Sequence, residues 1–267
     1  SLESYRPIVE KLCSELGAEF LNTGRTEWMS QFATSLPLRV IIDILGLPVD
    51  DFSRLQTWSD AGVRIVDGTA TGDEFMTLAQ KVLEFQAYLA QALNAATESP
   101  GTTLLAKLAA MIHAGEMEHD EAVSILLQLV VAGSDSTASL IGSIAYHLAS
   151  NNHQQEELRH SPDLRTAFIE EVLRFDSPFQ GHFRVLTEDT QVGSVDMKKG
   201  TRLMLHWGEA NRDKEVFACP NSIQPERSEL RKHLGFGYGI HRCIGAGLAR
   251  LEARMALDLL LDHMTAV

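Results

Sequence analysis

Positive charge is scarce in this chain. Lys and Arg number 23 against 36 Asp and Glu over 267 residues, a formal charge of −13 at neutral pH. A surface of that sign repels the phosphate backbone of nucleic acids. Cysteine is scarcer still. Cys13, Cys219 and Cys243 are too few and too scattered for a disulfide framework, and their odd number points to a reducing compartment or to one thiol kept for chemistry. Long apolar runs are missing too. The longest, Leu126 to Ala132, is interrupted by Gln128 and falls short of the roughly 20 residues that cross a bilayer. Ser1 is followed by acidic, helix-like sequence with no basic region ahead of an apolar one. Neither a secretory signal nor a membrane span is expected, and the expected location is the cytoplasm. There is no internal repeat. What is there, 45% hydrophobic and 22% charged residues, is the composition of a globular protein, with chain enough for one large or two small domains.

The first third has the apolar spacing of helices. Ile8, Val9, Leu12, Leu16 and Phe20 share one face of a helix over Tyr5 to Leu21, which Asn22-Thr23-Gly24 ends. A second helix is expected from about Met29 to Gly46-Leu47-Pro48, then others over Phe52 to Val66 and Glu74 to Ala96, with loops at Glu98 to Gly101 and Gly115 to Met117. The longest helix is expected from Asp120 to Ser150, apolar on nearly every side and therefore interior. In its middle stands Ala132-Gly133-Ser134-Asp135-Ser136-Thr137, where helix propensity asks for Ala or Leu. Such a local violation marks a functional or strained place. There, hydroxyls can turn back onto carbonyls one turn earlier. A helix from Asp163 to Phe175 is followed by short strands at Phe183 to Leu186, Gln191 to Val195 and Thr201 to His206, with turns at Gly193 and Lys199-Gly200. Residues Asn211 to His233 are irregular, and a last helix runs from Ile244 to His263. The class is mainly α with a small β annex.

The densest chemical signal is Phe236-Gly237-Tyr238-Gly239-Ile240-His241-Arg242-Cys243-Ile244-Gly245, a glycine-rich loop that delivers one cysteine to the start of a helix. A thiol there, beside Arg242, has its thiolate favoured by the helix dipole and by unpaired backbone N–H groups, which suits a nucleophile or a metal ligand. Other readings are weaker. The glycine pairs lack the third glycine of a dinucleotide fingerprint and no βαβ pattern surrounds them. Cys219, His233, His241 and Cys243 lack the paired spacing of a zinc site. His241 is too close along the chain to Cys243 for a hydrolase pair.

This stretch resembles the haem-binding signature of the cytochrome P450 family, the haem-thiolate monooxygenases, with Phe236, Gly239, His241, Cys243 and Gly245 each in place. Three further elements resemble the family in order and spacing. They are Ala132-Gly133-Ser134-Asp135-Ser136 in the central helix, Glu171-Val172-Leu173-Arg174, and Arg227, which completes a structural triad with Glu171 and Arg174. The resemblance covers essentially the whole chain and is to the soluble bacterial type. It implies a partial P450-like fold in a single domain over residues 1 to 267, lacking the family's first helices and its C-terminal strands.

The resemblance implies haem b with Cys243 as the axial thiolate, a ligation that favours O–O cleavage. Gln128, Ala132, Gly133, Phe236, Gly237, Ile244, Gly245 and Ala249 would line the cofactor, and Arg184 and His241 would meet its propionates. Asp135 and Ser136 would organise proton delivery to dioxygen. Serine stands where the family most often has threonine, which keeps the hydroxyl and loses the methyl that restricts its rotamer. Val131, Gln180 and His182, with Gln128, would face a pocket for a small organic substrate. Between Pro225 and Arg254, Arg227, Arg231, Lys232, Arg242, Arg250 and Arg254 outnumber Glu226, Glu229 and Glu252. A basic patch in an acidic protein would steer an acidic electron donor of ferredoxin type. The expected activity is a monooxygenase with a separate redox partner. The alternative is a non-catalytic or peroxide-producing haem-binding fragment.

Overall fold

Helices form here where an apolar stripe meets a partner. The computed structural model describes residues 2–97, 101–265 and 267; the break expected over Glu98, Ser99 and Pro100 lies outside them. Two units divide the chain: Ser1–Gly142 with Gly247–Thr265, and Ser143–Ala246 with Ala266–Val267.

In the first unit, α1 (Arg6–Leu21) buries Val9, Cys13, Leu16 and Phe20. The segment expected to be helical from Met29 opens with a π turn over Met29–Ala33, and α2 (Ser35–Leu45) begins only afterwards. Pro37 accounts for the delay. It has no N–H to give to the carbonyl one turn back, so it fits only the first turn of a helix. Gly46 ends α2 at φ +82, its N–H and that of Leu47 both reaching the carbonyl of Ile42. A side chain at Gly46 would also collide with Thr103, 2.5 Å from the position of its Cβ.

Then follow α3 (Phe52–Val66), α4 (Gly72–Thr97), α5 (Leu104–His113) and α6 (His119–Ala149). The core of this unit joins Ile41, Leu45, Leu55, Trp58, Phe85, Leu89, Leu105, Ala122, Leu126 and Val130. A second cluster joins Val9, Phe20, Phe32, Leu36, Ile141, Leu251 and Ala256. Each such leucine or phenylalanine removed from water contributes about 1.5–3 kcal/mol. By length and composition α6 could cross a bilayer, its best window having a mean hydropathy of 1.4. Its Ala122, Val123, Leu126, Val130 and Ile141 are instead packed in the two cores. The interrupted run Leu126 to Ala132 thus belongs to a longer interior helix.

The second unit holds α7 (Asn152–His160) and α8 (Leu164–Phe175), then β1 (His182–Val185), β2 (Thr190–Val192), β3 (Val195–Met197), β4 (Arg202–Leu205) and a single turn, α9 (Trp207–Ala210). Strand β1 pairs antiparallel with β4, and β2 with β3. The expected strand Gln191 to Val195 is therefore a hairpin, because Gly193 at φ +59 takes the turn between Val192 and Val195. The last helix, α10 (Ala246–His263), starts two residues later than expected and lies in the first unit after Ala246.

On α10, Glu252 is 1% exposed and its Oε2 has no hydrogen-bond partner among the described residues. Burial raises its pKa well above the carboxylate range, and Glu252 in turn helps burial to raise the Cys13 thiol, with Glu10 adding to it. Because the folded protein binds this proton more tightly than the unfolded chain, the stabilisation is complete below the ordinary carboxylate pKa and is lost as pH rises through the raised one. Thermal unfolding at several pH values should show stability falling from mildly acidic to mildly basic solution, and Glu252→Gln should flatten that fall. An unchanged slope in the variant would contradict this role.

Candidate functional site

The irregular segment after α9 has almost no ladder of its own, so its carbonyls need donors elsewhere. Arg174 and Arg227 supply them. Arg174, fully buried on α8, holds Glu171 with both Nε and Nη2 at 2.8 Å. It also donates to the carbonyls of Asn211 at 2.8 Å, Pro220 at 2.9 Å and Ser222 at 3.1 Å. Arg227 donates to Glu171 Oε1 at 3.2 Å and to the carbonyls of Ala218, Cys219 and Ser222. Glu171 also accepts the backbone N–H of Gln224 at 2.9 Å. One carboxylate and two guanidiniums without access to water are thus compensated by one another and by carbonyl dipoles.

Asn211, which the sequence did not single out, and His233, weighed there only as a zinc ligand, extend this framework. Asn211, fully buried, donates to Ser177 Oγ at 2.8 Å and accepts the N–H of Leu234 at 2.6 Å, just ahead of the cysteine loop. His233 Nδ1 accepts the N–H of Gly235 at 3.1 Å, so in the neutral ring Nε2 carries the proton and donates to Glu170 at 2.9 Å. The polar composition of residues 211 to 233 is the only trace of either contact in the sequence.

The loop itself turns on Gly237 (φ +67) and Gly239 (φ +75), which adopt the left-handed region. The N–H of Gly237 donates to Leu234 at 2.8 Å, that of Arg242 to Gly239 at 3.1 Å, and that of Cys243 to Phe236 at 2.9 Å. Phe236 is half-buried with its ring 6.1 Å from that of His233. Cys243 is exposed, three residues ahead of α10. A Cβ on Gly245 would lie 3.8 Å from its sulfur, so the glycine leaves one side of the thiol open. Around it Tyr238, Ile240 and Ile244 are 82%, 96% and 95% exposed. Uncovered apolar side chains of that size beside a thiol mark a surface built to be covered. Among the described residues the His241 and Arg242 side chains have no hydrogen bond or ion pair. Exposed Arg184, on β1, donates to the neighbouring carbonyl of Phe183 at 2.8 Å. A flat apolar macrocycle with carboxylates on its rim, its metal bound by a thiolate, fits this donor set.

Also in the second unit, His182 accepts the Trp207 indole N–H at 2.7 Å, and burial followed by the Arg184 charge lowers its pKa, which favours the neutral ring. Gln180 donates to the carbonyl of Ser177 at 2.7 Å. The expected basic patch is smaller than the sequence indicates. Arg227 is spent inside the charge cluster, Arg254 is bonded to Asp258 at 2.9 Å and Arg250 is half-buried, which leaves Arg231, Lys232 and Arg242 exposed. Among the described residues no group of three His, Cys, Asp or Glu side chains gathers to hold a metal ion.

In the first unit, the interruption of α6 is a set of hydroxyls bonded back along the helix. Ser134 donates to Val130 at 2.9 Å and Ser136 to Ala132 at 2.8 Å. Gly133 leaves space for Ile41, whose Cδ1 would be 3.0 Å from a Cβ there. Asp135 shows area to solvent, but partial burial of its carboxyl raises its pKa, and the Asp67 carboxylate adds to the shift. Val131 packs on Gly62 of α3, where a Cβ would meet Val131 Cγ2 at 2.7 Å. Exposed Gln128 donates to Ser124 Oγ at 3.1 Å, exposed Ala132 accepts from Ser136, and Ala249 is half-buried on the first turn of α10.

A family model described as Cytochrome P450 matches residues 163–266. The chain is 35% identical over 252 residues to Cytochrome P450 144 of Mycobacterium tuberculosis, covering 94% of this chain and 58% of that protein. It is 31% identical over 265 residues to the biotin biosynthesis cytochrome P450 of Bacillus subtilis, covering 99% of this chain and 67% of the relative. Among solved structures, P450BioI in complex with an acyl carrier protein ligated to hexadec-9Z-enoic acid superposes with a TM-score of 0.94 at 31% identity, over 98% of this chain and 68% of that one. Cytochrome P450 CREJ with (4-ethylphenyl) dihydrogen phosphate gives 0.91 at 26% identity, over 97% and 65%. With a relative 31% identical over 99% of this chain and 67% of its own length, this chain belongs to the cytochrome P450 family.

Proposed function

We propose that the chain is the haem-binding catalytic domain of a cytoplasmic monooxygenase. In this reaction one atom of dioxygen enters a small organic substrate and the other leaves as water, with electrons arriving from a separate ferredoxin-type protein. The observation that carries the reading is the exposed Cys243 thiol amid uncovered Tyr238, Ile240 and Ile244, with exposed His241 two residues away. Haem b, when bound through the Cys243 thiolate, supplies activation of dioxygen.

The chain's own residues do the rest. Phe236, Gly237, Ile244, Gly245 and Ala249 shape the cradle, and His241 and Arg184 pair with the cofactor's carboxylates. Asp135 keeps its proton to a higher pH than a free carboxyl, which suits a donor. Ser136 gives its own proton to Ala132 in the resting helix, so its oxygen is left as an acceptor until the hydroxyl rotates. Exposed Ala132 gives the cofactor room, whereas the space at Gly133 is taken by Ile41; Gln128, Val131, Gln180 and His182 are the residues that the family resemblance assigns to a mixed polar and apolar substrate lining. Glu171, Arg174 and Arg227 are structural and hold the segment that leads to Cys243. Exposed Arg231, Lys232 and Arg242 support docking of an acidic donor.

Turnover of the haem-loaded protein with a ferredoxin system under oxygen-18 gas should place one label in the product. Asp135→Asn should slow turnover on the order of a hundredfold, and Ser136→Ala should divert electrons to peroxide. Label absent from the product, or turnover and product yield unchanged in both variants, would overturn the reading. Arg174→Ala should lower unfolding stability by about 3–5 kcal/mol, because it leaves Glu171 buried with half its compensation, and should abolish haem uptake. Normal denaturant unfolding with full uptake would show that the cluster is dispensable.

A further inference from the structure

Helix α3 meets α6 at two places in the first unit. Ser59 Oγ lies 2.7 Å from Ser134 Oγ, with both residues buried. Gly62, three residues on, admits Val131, three residues back. The two contacts run in opposite chain senses, so one face of α3 is registered on the turn of α6 that precedes Asp135. The hydroxyl pair also has a direction. Ser134 has one proton and gives it to the carbonyl of Val130 at 2.9 Å, so Ser59 donates to Ser134. Loss of the Ser59 hydroxyl would leave a buried oxygen on Ser134 short of its donor, in a stretch of helix that already contains Gly133 and two back-bonded hydroxyls.

We infer that Ser59 is a positioning residue for Asp135 and Ser136, its hydroxyl clamping α6 on α3 at Ser134 so that the acid and the hydroxyl keep their orientation. The next residue of α3 supports this placement. Asp60 is close enough to Asp135 for their charges to interact, its pKa being raised by burial and then by Asp135 while Lys81 opposes the shift. Asp67 acts on Asp135 in the same direction. The charges near Asp135 therefore come from Asp60 on α3 and from Asp67 just past its C-terminal end, on the helix that Ser59 ties to α6.

This inference rests on the proposed role of Asp135 and Ser136, and the experiment separates the two. Hydrogen exchange by mass spectrometry on the purified protein reports the clamp without any turnover. In Ser59→Ala, amides of residues 133 to 137 should exchange about tenfold faster while those of α10 stay as they were. In the haem-loaded protein the same variant should send several times more electrons to peroxide at unchanged substrate KM, and Ser59→Thr, which retains the hydroxyl, should restore both readings. Ser134→Ala combined with Ser59→Ala should be no worse than either alone. Unchanged exchange in Ser59→Ala overturns the clamp, and faster exchange with unchanged electron partition overturns its positioning role. If Asp135→Asn and Ser136→Ala also leave the partition unchanged, the proton-delivery reading itself has failed.

Discussion

Glu171, Arg174 and Arg227 confront the protein with charges in a place that water does not reach. Two guanidiniums against one carboxylate leave an excess positive charge, which is tolerable only because the carbonyls of Asn211, Ala218, Cys219, Pro220 and Ser222 point their negative ends at it. The exchange is mutual. A segment with no ladder of its own finds donors, and buried cations find acceptors. From this hub Asn211 reaches Leu234, and His233 reaches Glu170, so the cysteine loop leaves a fixed base. The openness of Cys243 depends on that rigidity, because the loop spends its own backbone bonds on turns and leaves its apolar side chains outward.

Helix α6 expresses a second constraint. An interior helix gains stability from apolar side chains, and this one supplies them along most of its length. Around Gly133 it gives up that gain for hydroxyls and a carboxyl, which then need partners: Val130 and Ala132 for the two serines, and Ser59 for Ser134. The result is a polar turn in an otherwise apolar rod, held by α3, with an acid whose proton affinity is raised.

Much of this was legible from local pattern. The loop from Phe236 to Gly245, the hydroxyl break in α6 and the spacing of Glu171 and Arg174 are all visible because each lies within a few residues of sequence. The partners that make them work are not: Ser59 and Ser134 are 75 residues apart, His233 and Glu170 63, and Asn211 and Leu234 23. Arg227 reads as surface charge by composition and is buried because Glu171 and three carbonyls claim it. Helix α7 carries almost no apolar periodicity, with Leu158 as its one buried aliphatic side chain, and it relies on the Asn151 side chain accepting from Gln154 to start. Helix α5 had a readable start in Thr103, which caps Ala106, but nothing in its short apolar run separates helix from buried strand by periodicity alone.

The central claim is that Cys243 binds haem iron as a thiolate. The most direct measurement is the visible spectrum of the haem-loaded protein, reduced and then exposed to carbon monoxide. The account predicts a strongly red-shifted Soret band that disappears in Cys243→Ala. A band at the position of a histidine or neutral-thiol ligand, or one indifferent to loss of Cys243, would contradict it.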